Sequence, residues 1–349
     1  MLDKLRNAVL LVVGGLVAVW AISGLVGVVQ GGPMDPWAPP GSTYKDLGAV
    51  EPRTPIWQPE SPAGSPLFTI GQPGSYYLGQ DLTGTAGEYG IVIAADNVTL
   101  DLNGFSIIGV PGSLDGVHVN CGDELVPLPC YNISIYNGSV SGWGEVGVDG
   151  NYANESRFED LRVTGNGSGL VAAFSLVSNV VATWNGATGI AVSTGTVTNT
   201  LSENNGGDGF SLNFVVVTDS FADWNGGDGV DVWNHSLVTN CRAEWNEGDG
   251  FEVGADNVVT DNGATGNDRD NDNDGAGIHV TGDNNRIEGN NVTENEIGID
   301  VDNEGNLIIK NSAAGNPVNY SIVASNTVGP ELFKQDPITS ENPWANFSY

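Results

Sequence analysis

The sequence is poor in basic residues. Its 349 residues include 11 Lys and Arg against 43 Asp and Glu, which gives a formal charge of −32. Proteins that bind nucleic acids rely on Lys and Arg contacts to phosphate, so this composition excludes a nucleic-acid partner. The same charge repels anionic membranes and anionic polymers unless divalent cations intervene, and it favours solubility.

Residues 8–29 contain no charged side chain, and Lys4 and Arg6 precede them. A helix of this length measures about 33 Å, which is enough to span a bilayer. The positive flank places the N-terminus in the cytoplasm and the body outside it, at the cell surface or in a periplasm. Residues 1–30 are therefore predicted to form a membrane anchor. The alternative is a cleaved signal peptide, which would make the protein secreted.

Proline is concentrated in one segment, because 9 of the 17 prolines fall within residues 31–66. This density predicts an extended, semi-rigid linker between the anchor and the body. The body is predicted to span residues 67–329, and residues 330–349 form a C-terminal cap or tail.

Cysteine is scarce, with three residues in the whole chain. Cys121 and Cys130 bound a short Pro-containing loop. In an exported chain this pair indicates a disulfide, and two free thiols are the alternative. The third cysteine, Cys241, aligns with Val180 and Thr200 in the repeat described next, which indicates a small buried thiol rather than a nucleophile.

A four-residue motif, in which glycine is followed by an apolar, a variable and a second apolar residue, recurs every 20 or 21 residues, at Gly189, Gly209, Gly229 and Gly250. This alternation indicates a strand with one buried face. A repeat this short has no room for a strand and a crossover helix. The body is therefore predicted to be all-β, a solenoid of about ten coils with parallel strands about 4.8 Å apart.

Stacked coils align equivalent residues in columns. One turn position holds asparagine in four successive coils, at Asn185, Asn205, Asn225 and Asn246. Amide side chains in such a column hydrogen-bond from coil to coil, so the sequence predicts an asparagine ladder.

This repeat, together with residues 74–78 and 97–104, resembles the right-handed parallel β-helix proteins of the pectin-lyase-like superfamily over roughly residues 67–325. The resemblance implies the fold, and it implies that an active cleft would lie on an exterior strand face. It leaves the activity open, because the superfamily includes lyases, hydrolases, epimerases and adhesins.

The variable residue of each glycine-initiated strand should point outward. Asp231, Glu252, His279 and Asp300 occupy this position in successive coils, and we take them as candidate catalytic residues. At this spacing, carboxylates and an imidazole can raise one another's pKa for acid–base chemistry or share a metal ion. The alternative is that these positions are acidic because they are solvated, as elsewhere on an acidic protein.

Known catalytic patterns of the resembled superfamily are missing. The outward column has no Lys or Arg for a pectate-lyase-like elimination. The paired-Asp motifs of polygalacturonase-like hydrolases and the Asp-Pro-His motif of alginate epimerases are also absent. The sequence therefore leaves open whether the protein is an enzyme.

Four tryptophans are candidate ligand-binding residues. Trp184, Trp224 and Trp245 form one column, and Trp233 lies at the exit of a neighbouring strand. Exposed aromatic faces stack on sugar rings, although a structural ladder of aromatic rings is the alternative.

One insertion carries alternating carboxylates at Asp268, Asp270, Asp272 and Asp274, followed by Gly275. Alternate carboxylates and a glycine match the first half of a calcium loop, so the sequence indicates a structural Ca²⁺ site. Position 12 of the loop lacks the usual Glu, and an acidic loop without an ion is the alternative.

These observations favour a membrane-anchored surface module that binds carbohydrate or partner proteins. One alternative is a polysaccharide lyase or hydrolase that uses the outward acidic column. Another is an accessory subunit that the N-terminal helix holds in a membrane complex.

Overall fold

The computed structural model describes residues 52–59, 66–122, 125–269, 275–334 and 340–349. Regular structure in these ranges consists of strands, and the described part of the chain contains no helix that could cross a membrane. The predicted anchor, residues 1–30, lies outside the described residues.

The described strands form three rows, and each strand pairs in parallel with its equivalents in the preceding and following coils. The first row contains Phe68–Ile70, Ile91–Ile93, Val117–Val119, Val146–Gly150, Ser168–Ser178, Ile190–Thr198, Phe210–Thr218, Val230–Asn234, Phe251–Ala255, Ala276–Val280, Ile297–Val301 and Val318–Ile322.

The second row contains Thr54–Ile56, Gly74–Leu78, Val98–Asp101, Ser134–Ser141, Ser156–Thr164, Leu237–Thr239, Val258–Thr260, Arg286–Glu288, Leu307–Ile309 and Thr327–Val328. Between Ser156–Thr164 and Leu237–Thr239, this row is continued by the second halves of the three long first-row strands.

The third row contains Leu82–Thr83, Ser106–Ile108, Val181–Thr183, Leu201–Glu203, Phe221–Asp223, Arg242–Glu244, Gly263–Thr265, Asn291–Thr293, Ser312–Ala314, Glu331–Phe333 and Asn346–Ser348. The second halves of Ser134–Ser141 and Ser156–Thr164 also belong to it. A short separate pair joins Cys130–Tyr131 to Ala153–Asn154.

The all-β solenoid is thus confirmed, but it has about 12 coils rather than about ten. The lower number came from counting strands that begin with glycine. In the first and last coils, Leu67 and Asn319 take the place of that glycine, so the repeat is harder to recognise there.

The core lies between the rows, where each strand turns alternate apolar side chains inward. Val230 and Val232 in one coil and Phe251 and Val253 in the next are at most 2% exposed. The glycine that precedes each such strand is required by close packing. A Cβ on Gly229 would lie 2.7 Å from the Nδ2 atom of Asn246, so a larger residue would displace the asparagine ladder.

The predicted ladder runs from coil to coil as expected, and the Nδ2 atom of Asn225 donates to the Oδ1 atom of Asn246 over 2.9 Å. Two further ladders were not predicted. In each, the backbone N–H of one residue donates to the Oδ1 atom of the next asparagine. They comprise Asn257, Asn285, Asn306 and Asn326 at one corner, and Asn262, Asn290, Asn311 and Asn346 at another.

Both ends of the body differ from a simple repeat. Strand Thr54–Ile56 pairs with Tyr76–Leu78, so the solenoid begins within the segment predicted to be a linker, residues 31–66. At the other end, Glu331–Phe333 pairs with Asn346–Ser348, which extends the third row beyond Ser312–Ala314.

The two sulfur atoms of Cys121 and Cys130 are bonded, and their Cα atoms are 5.2 Å apart. Cys241 is 2% exposed, and its thiol donates to the carbonyl oxygen of Thr239. Its burial raises the pKa of the thiol to about 11, so Cys241 is a protonated core residue rather than a nucleophile.

Candidate functional site

The strand register places the four candidate catalytic residues on consecutive coils of the first row. Asp231 pairs with Glu252, Glu252 with His279, and His279 with Asp300. Their neighbours in each strand are buried, so alternation turns these four half-buried side chains outward. The outward column predicted from the repeat is therefore present.

Two shallow depressions lie on this outer face, one on each side of Trp233, and together they form what we call the first-row groove. The first encloses about 300 Å³ and is lined by Asp231, Val232, Trp233, Asn234, Glu252, Gly254 and Thr281. The second encloses about 280 Å³, and its lining includes Val171, Ala191, Ser211, Asn213 and Trp233. The groove thus consists of an acidic half and a half that is lined mainly by small side chains.

Trp233 divides the two halves of the groove. Its side chain is 57% exposed, and its indole Nε1 atom donates a 2.6 Å hydrogen bond to the Oδ2 atom of Asp231. The two residues lie two apart on one strand, so they share a face. An exposed ring held by such a bond is a fixed apolar platform beside an acid.

Asp231 is partly protonated near neutral pH. Burial raises its pKa most, the hydrogen bond from Trp233 lowers it, and the charge of Glu252 raises it, with a net value of about 6. The hydroxyl of Ser211 also donates to Asp231, over 3.3 Å. A carboxyl group with this pKa can donate a proton in slightly acidic solution.

A second acidic row, formed by Asp208, Asp228 and Asp249, runs beside the outward column. The Oδ1 atom of Asp208 accepts the N–H of Asp228 over 3.0 Å, and that of Asp228 accepts the N–H of Asp249 over 2.7 Å. Burial is the main reason why the pKa of each of these carboxyls is raised. The sequence analysis did not include this row, although an Asp-Gly pair recurs in phase with the repeat.

His279 lies between two carboxylates. Its Nδ1 atom is 2.9 Å from the Oδ2 atom of Asp249, and its Nε2 atom is 3.2 Å from the Oδ2 atom of Asp302. The hydrogen bond with Asp249 raises the pKa of His279 most, burial opposes it, and the net value is about 10. His279 is therefore a cation that joins the acidic groups, and it is not available as a base at neutral pH.

Among the described residues, two groups bring three potential metal ligands within 4.8 Å of one another. One comprises His279, Asp300 and Asp302, and the other comprises Asp115, His118 and Asp149 in earlier coils of the same row. The second group was not proposed as a site from the sequence, although His118 and Asp149 belong to the outward column.

The remaining candidate tryptophans lie away from the first-row groove. Trp184, Trp224 and Trp245 directly follow third-row strands in left-handed backbone conformations, whereas Trp233 belongs to the first row. The rings of Trp224 and Trp245 stack with centroids 6.0 Å apart, and the guanidinium of Arg269 lies 4.3 Å from the Trp224 ring. The structure therefore separates Trp233 from the other three.

The predicted calcium loop is only partly described. Asp268 is buried next to Asn267 of the ladder, and its backbone N–H donates to the carbonyl oxygen of Gly248 over 3.0 Å. Asp270, Asp272 and Asp274 lie outside the described residues. The calcium site stays a prediction from the sequence.

No family model matches this chain, and no curated protein is similar to it in sequence. Its fold is similar to that of the A-module of the Azotobacter vinelandii mannuronan C-5 epimerase AlgE6, with a TM-score of 0.59, 16% identity, and coverage of 79% of this chain and 91% of that one. The A-module of AlgE4 from the same organism has a TM-score of 0.52 and 18% identity, with coverage of 73% and 91%. The periplasmic alginate epimerase AlgG has a TM-score of 0.52 and 12% identity, with coverage of 80% and 75%. At these identities the likeness identifies the fold as a right-handed parallel β-helix.

Proposed function

We propose that the first-row groove binds a polysaccharide chain along the axis of the solenoid. The observation that carries this proposal is the position of Trp233. Its exposed ring is fixed between an acidic depression and a second depression that is lined mainly by small side chains. Aromatic faces stack on sugar rings, and nearby carboxylates accept hydrogen bonds from sugar hydroxyls. The coils repeat about every 4.8 Å, which suits a ligand that is itself a repeating chain.

The polymer is proposed to be neutral. Two of the similar folds are named for mannuronan, which supports the polysaccharide class. The groove of this chain, however, contains Asp231 and Glu252 and has no Lys or Arg in either lining. Together with a formal charge of −32, this arrangement repels polyanions and leaves neutral glycans as the favoured ligands.

Binding is tested with the full-length protein and a panel of neutral and anionic polysaccharides, by affinity electrophoresis with and without calcium. We expect retention by a neutral polymer and a loss of retention of about tenfold in Trp233→Ala, because a stacked aromatic contact contributes roughly 0.5–1.5 kcal/mol beyond the apolar area that it buries. Trp224→Ala is the matched control on the third row. Loss of retention in Trp224→Ala but not in Trp233→Ala would assign binding to the third-row tryptophans instead.

A second candidate function is hydrolysis of the bound glycan, and the raised pKa of Asp231 favours it. Protonated Asp231 would give its proton to the glycosidic oxygen as the bond to the anomeric carbon breaks. Glu252, on the adjacent coil, would activate the attacking water or form the bond to that carbon itself. Elimination is less favoured because the groove offers no basic side chain to remove a sugar proton.

Hydrolysis is tested by counting new reducing ends on the polymer that the protein retains. Asp231→Asn and Glu252→Gln should each lower the rate by at least about 100-fold while retention is kept. Glu203→Gln removes the same charge from the third row and should leave the rate unchanged. Retention without new ends in the wild type would leave a binding module.

The cellular location is proposed from the sequence alone. Residues 1–30 would anchor the protein in a membrane, with the β-helix outside the cytoplasm. The test is fractionation of the producing cells with an alkaline wash, in which an anchored protein stays in the membrane pellet. Recovery of a shortened chain in the medium would show that the segment is a cleaved signal.

A further inference from the structure

Two of the three histidines, His118 and His279, lie in the same outward column and have similar neighbours. Each contacts the aspartate of an Asp-Gly turn, which is Asp115 for His118 and Asp249 for His279. Each also pairs with an aspartate of the next coil, Asp149 or Asp300. The two sites differ in which ring nitrogens face the carboxylates.

At His279, each ring nitrogen has its own carboxylate. Nδ1 faces Asp249 at 2.9 Å, and Nε2 faces Asp302 at 3.2 Å. An imidazolium ion has one N–H on each nitrogen, so both hydrogens have an acceptor. This is the arrangement expected for a bound proton.

At His118, both carboxylates face the same nitrogen. Nδ1 lies 3.0 Å from the Oδ2 atom of Asp115 and 3.2 Å from that of Asp149. The opposite nitrogen, Nε2, is buried and has no hydrogen-bond partner in the described structure. One N–H can point directly at only one of these two oxygens, so a proton on Nδ1 leaves the other Oδ2 atom without a direct hydrogen bond from the ring. A cation between the three atoms would contact both oxygens and the nitrogen.

The three ligand atoms are held in place by their surroundings. The Oδ1 atom of Asp115 accepts the N–H of Val146 over 2.8 Å, and that of Asp149 accepts the N–H of Asn151 over 3.0 Å. These bonds leave both Oδ2 atoms directed at the imidazole. The ring of Tyr89 stacks on His118 with centroids 4.6 Å apart, which fixes the plane of the imidazole.

We propose that Asp115, His118 and Asp149 bind a divalent transition-metal ion of the zinc or manganese class through Nδ1 and the two Oδ2 atoms. Two carboxylates and a neutral imidazole carry a charge of −2, which a divalent ion neutralises. A nitrogen ligand favours this class over calcium and magnesium, which prefer oxygen ligands throughout. The backbone N–H groups that hold the Oδ1 atoms supply the outer-shell support typical of such sites. The ion would join the strands Val117–Val119 and Val146–Gly150.

The test uses the full-length protein after removal of metals with a chelator, followed by titration with Zn²⁺, Mn²⁺ and Ca²⁺. A proton competes for Nδ1. Burial lowers the pKa of His118, but the hydrogen bonds that the Nδ1–H group donates to Asp115 and Asp149 raise it more, to about 9, so the titration is done in mildly alkaline buffer. We expect binding of one Zn²⁺ or Mn²⁺ ion per chain and a rise in Tm of about 3 °C or more.

His118→Gln and Asp149→Asn should each abolish this binding and the rise in Tm, whereas His279→Gln should retain both. Co²⁺ provides a second readout, because a nitrogen–oxygen site gives it visible absorption bands that His118→Gln should remove. Calcium should shift the Tm equally in the wild type and in His118→Gln. Failure of the wild type to bind Zn²⁺ or Mn²⁺, or unchanged binding in both His118→Gln and Asp149→Asn, would overturn the proposal.

Discussion

The indole N–H of Trp233 donates to the Oδ2 atom of Asp231 over 2.6 Å. This bond connects the aromatic platform of the first-row groove to its acidic half. It fixes the ring in an exposed position, and it stabilises the charged form of a carboxyl whose burial favours the neutral form. The stacking group and the proposed proton donor therefore depend on each other.

Replacing Trp233 with Phe tests this dependence, because Phe keeps a ring and removes the N–H donor. The hydrogen bond lowers the pKa of Asp231, so its loss should raise that pKa above the present value of about 6. Carboxyl carbon shifts followed by NMR across the pH range would measure the change. Trp224→Phe on the third row is the control, and an unchanged or lower pKa in Trp233→Phe would contradict the prediction.

Replacing His279 with Gln should destabilise the fold in a pH-dependent way. The pKa of His279 rises from 6.5 in the unfolded chain to about 10 in the fold. Because protonation is favoured in the folded state, the stabilisation is fully present below pH 6.5 and is lost as the pH rises through about 10. We expect a loss of about 2 kcal/mol in the free energy of unfolding at low pH and little loss above pH 10.

Denaturant unfolding at several pH values measures this difference. The control is His235→Gln, since His235 is exposed and lies 3.7 Å from Asp256. An effect of His279→Gln that grows with pH would contradict the assignment of His279 as a protonated bridge.

Replacing Asp228 with Asn should stabilise the protein at neutral pH. Burial, and then the charge of Asp249, raise the pKa of Asp228, so the folded state holds a proton that the unfolded state releases above pH 3.8. Stability is therefore lost as the pH rises from 3.8 through the folded pKa. Asn keeps an oxygen for the N–H of Asp249 and removes this cost.

The expected gain in the free energy of unfolding is about 1 kcal/mol at neutral pH, with none below the unfolded pKa. Asp283→Asn is the control, because it removes the same charge from an exposed position. An equal gain in Asp283→Asn would show that general charge repulsion, rather than burial at Asp228, is responsible.

The outward column of the candidate site could be predicted because one rule, strand alternation, determines it. Asp231, Glu252 and His279 follow directly from the phase of the glycine repeat. The second acidic row could not be predicted in the same way. Asp228 and Asp249 precede the strand, where alternation does not apply, and their orientation depends on hydrogen bonds to the next coil.

The contrast between His118 and His279 also lies beyond sequence reasoning. Both occupy the same column, and both have an aspartate in the next coil. Which nitrogen meets which carboxylate depends on ring rotation, and for His118 the plane of the ring is set by stacking on Tyr89, which lies 29 residues earlier in the chain. Contacts of this kind become visible only when the coils are stacked.

The asparagine ladders show the same limit. The ladder through Asn185 and Asn225 was predicted because four coils in a row carry asparagine at one position. The other two ladders begin beyond Ser236 and Cys241, which occupy the equivalent positions one coil earlier. Within one coil, members of the three ladders lie five residues apart, as in Asn257, Asn262 and Asn267, and this spacing was the signal that could have identified the other two.

Replacing Asn225 with Ala should show how much one ladder position contributes to stability. The side chain is fully buried, accepts hydrogen bonds from the backbone and side chain of Asn205, and donates to Asn246 and to the carbonyl oxygen of Ser202. Its removal leaves several buried groups without partners, each at a cost of roughly 1–3 kcal/mol. We expect a total loss of about 3 kcal/mol or more in the free energy of unfolding, measured with denaturant.

The control is Asn291→Ala, because Asn291 is exposed on a third-row strand. Its replacement should change the free energy of unfolding by no more than about 0.5 kcal/mol. A small effect of Asn225→Ala would mean that neighbouring coils close the gap by shifting. The packing at Gly229 argues against such a shift, because a Cβ added there would lie only 2.7 Å from the Nδ2 atom of Asn246. Equal effects of the two variants would therefore contradict the view that the ladder holds the coils in register.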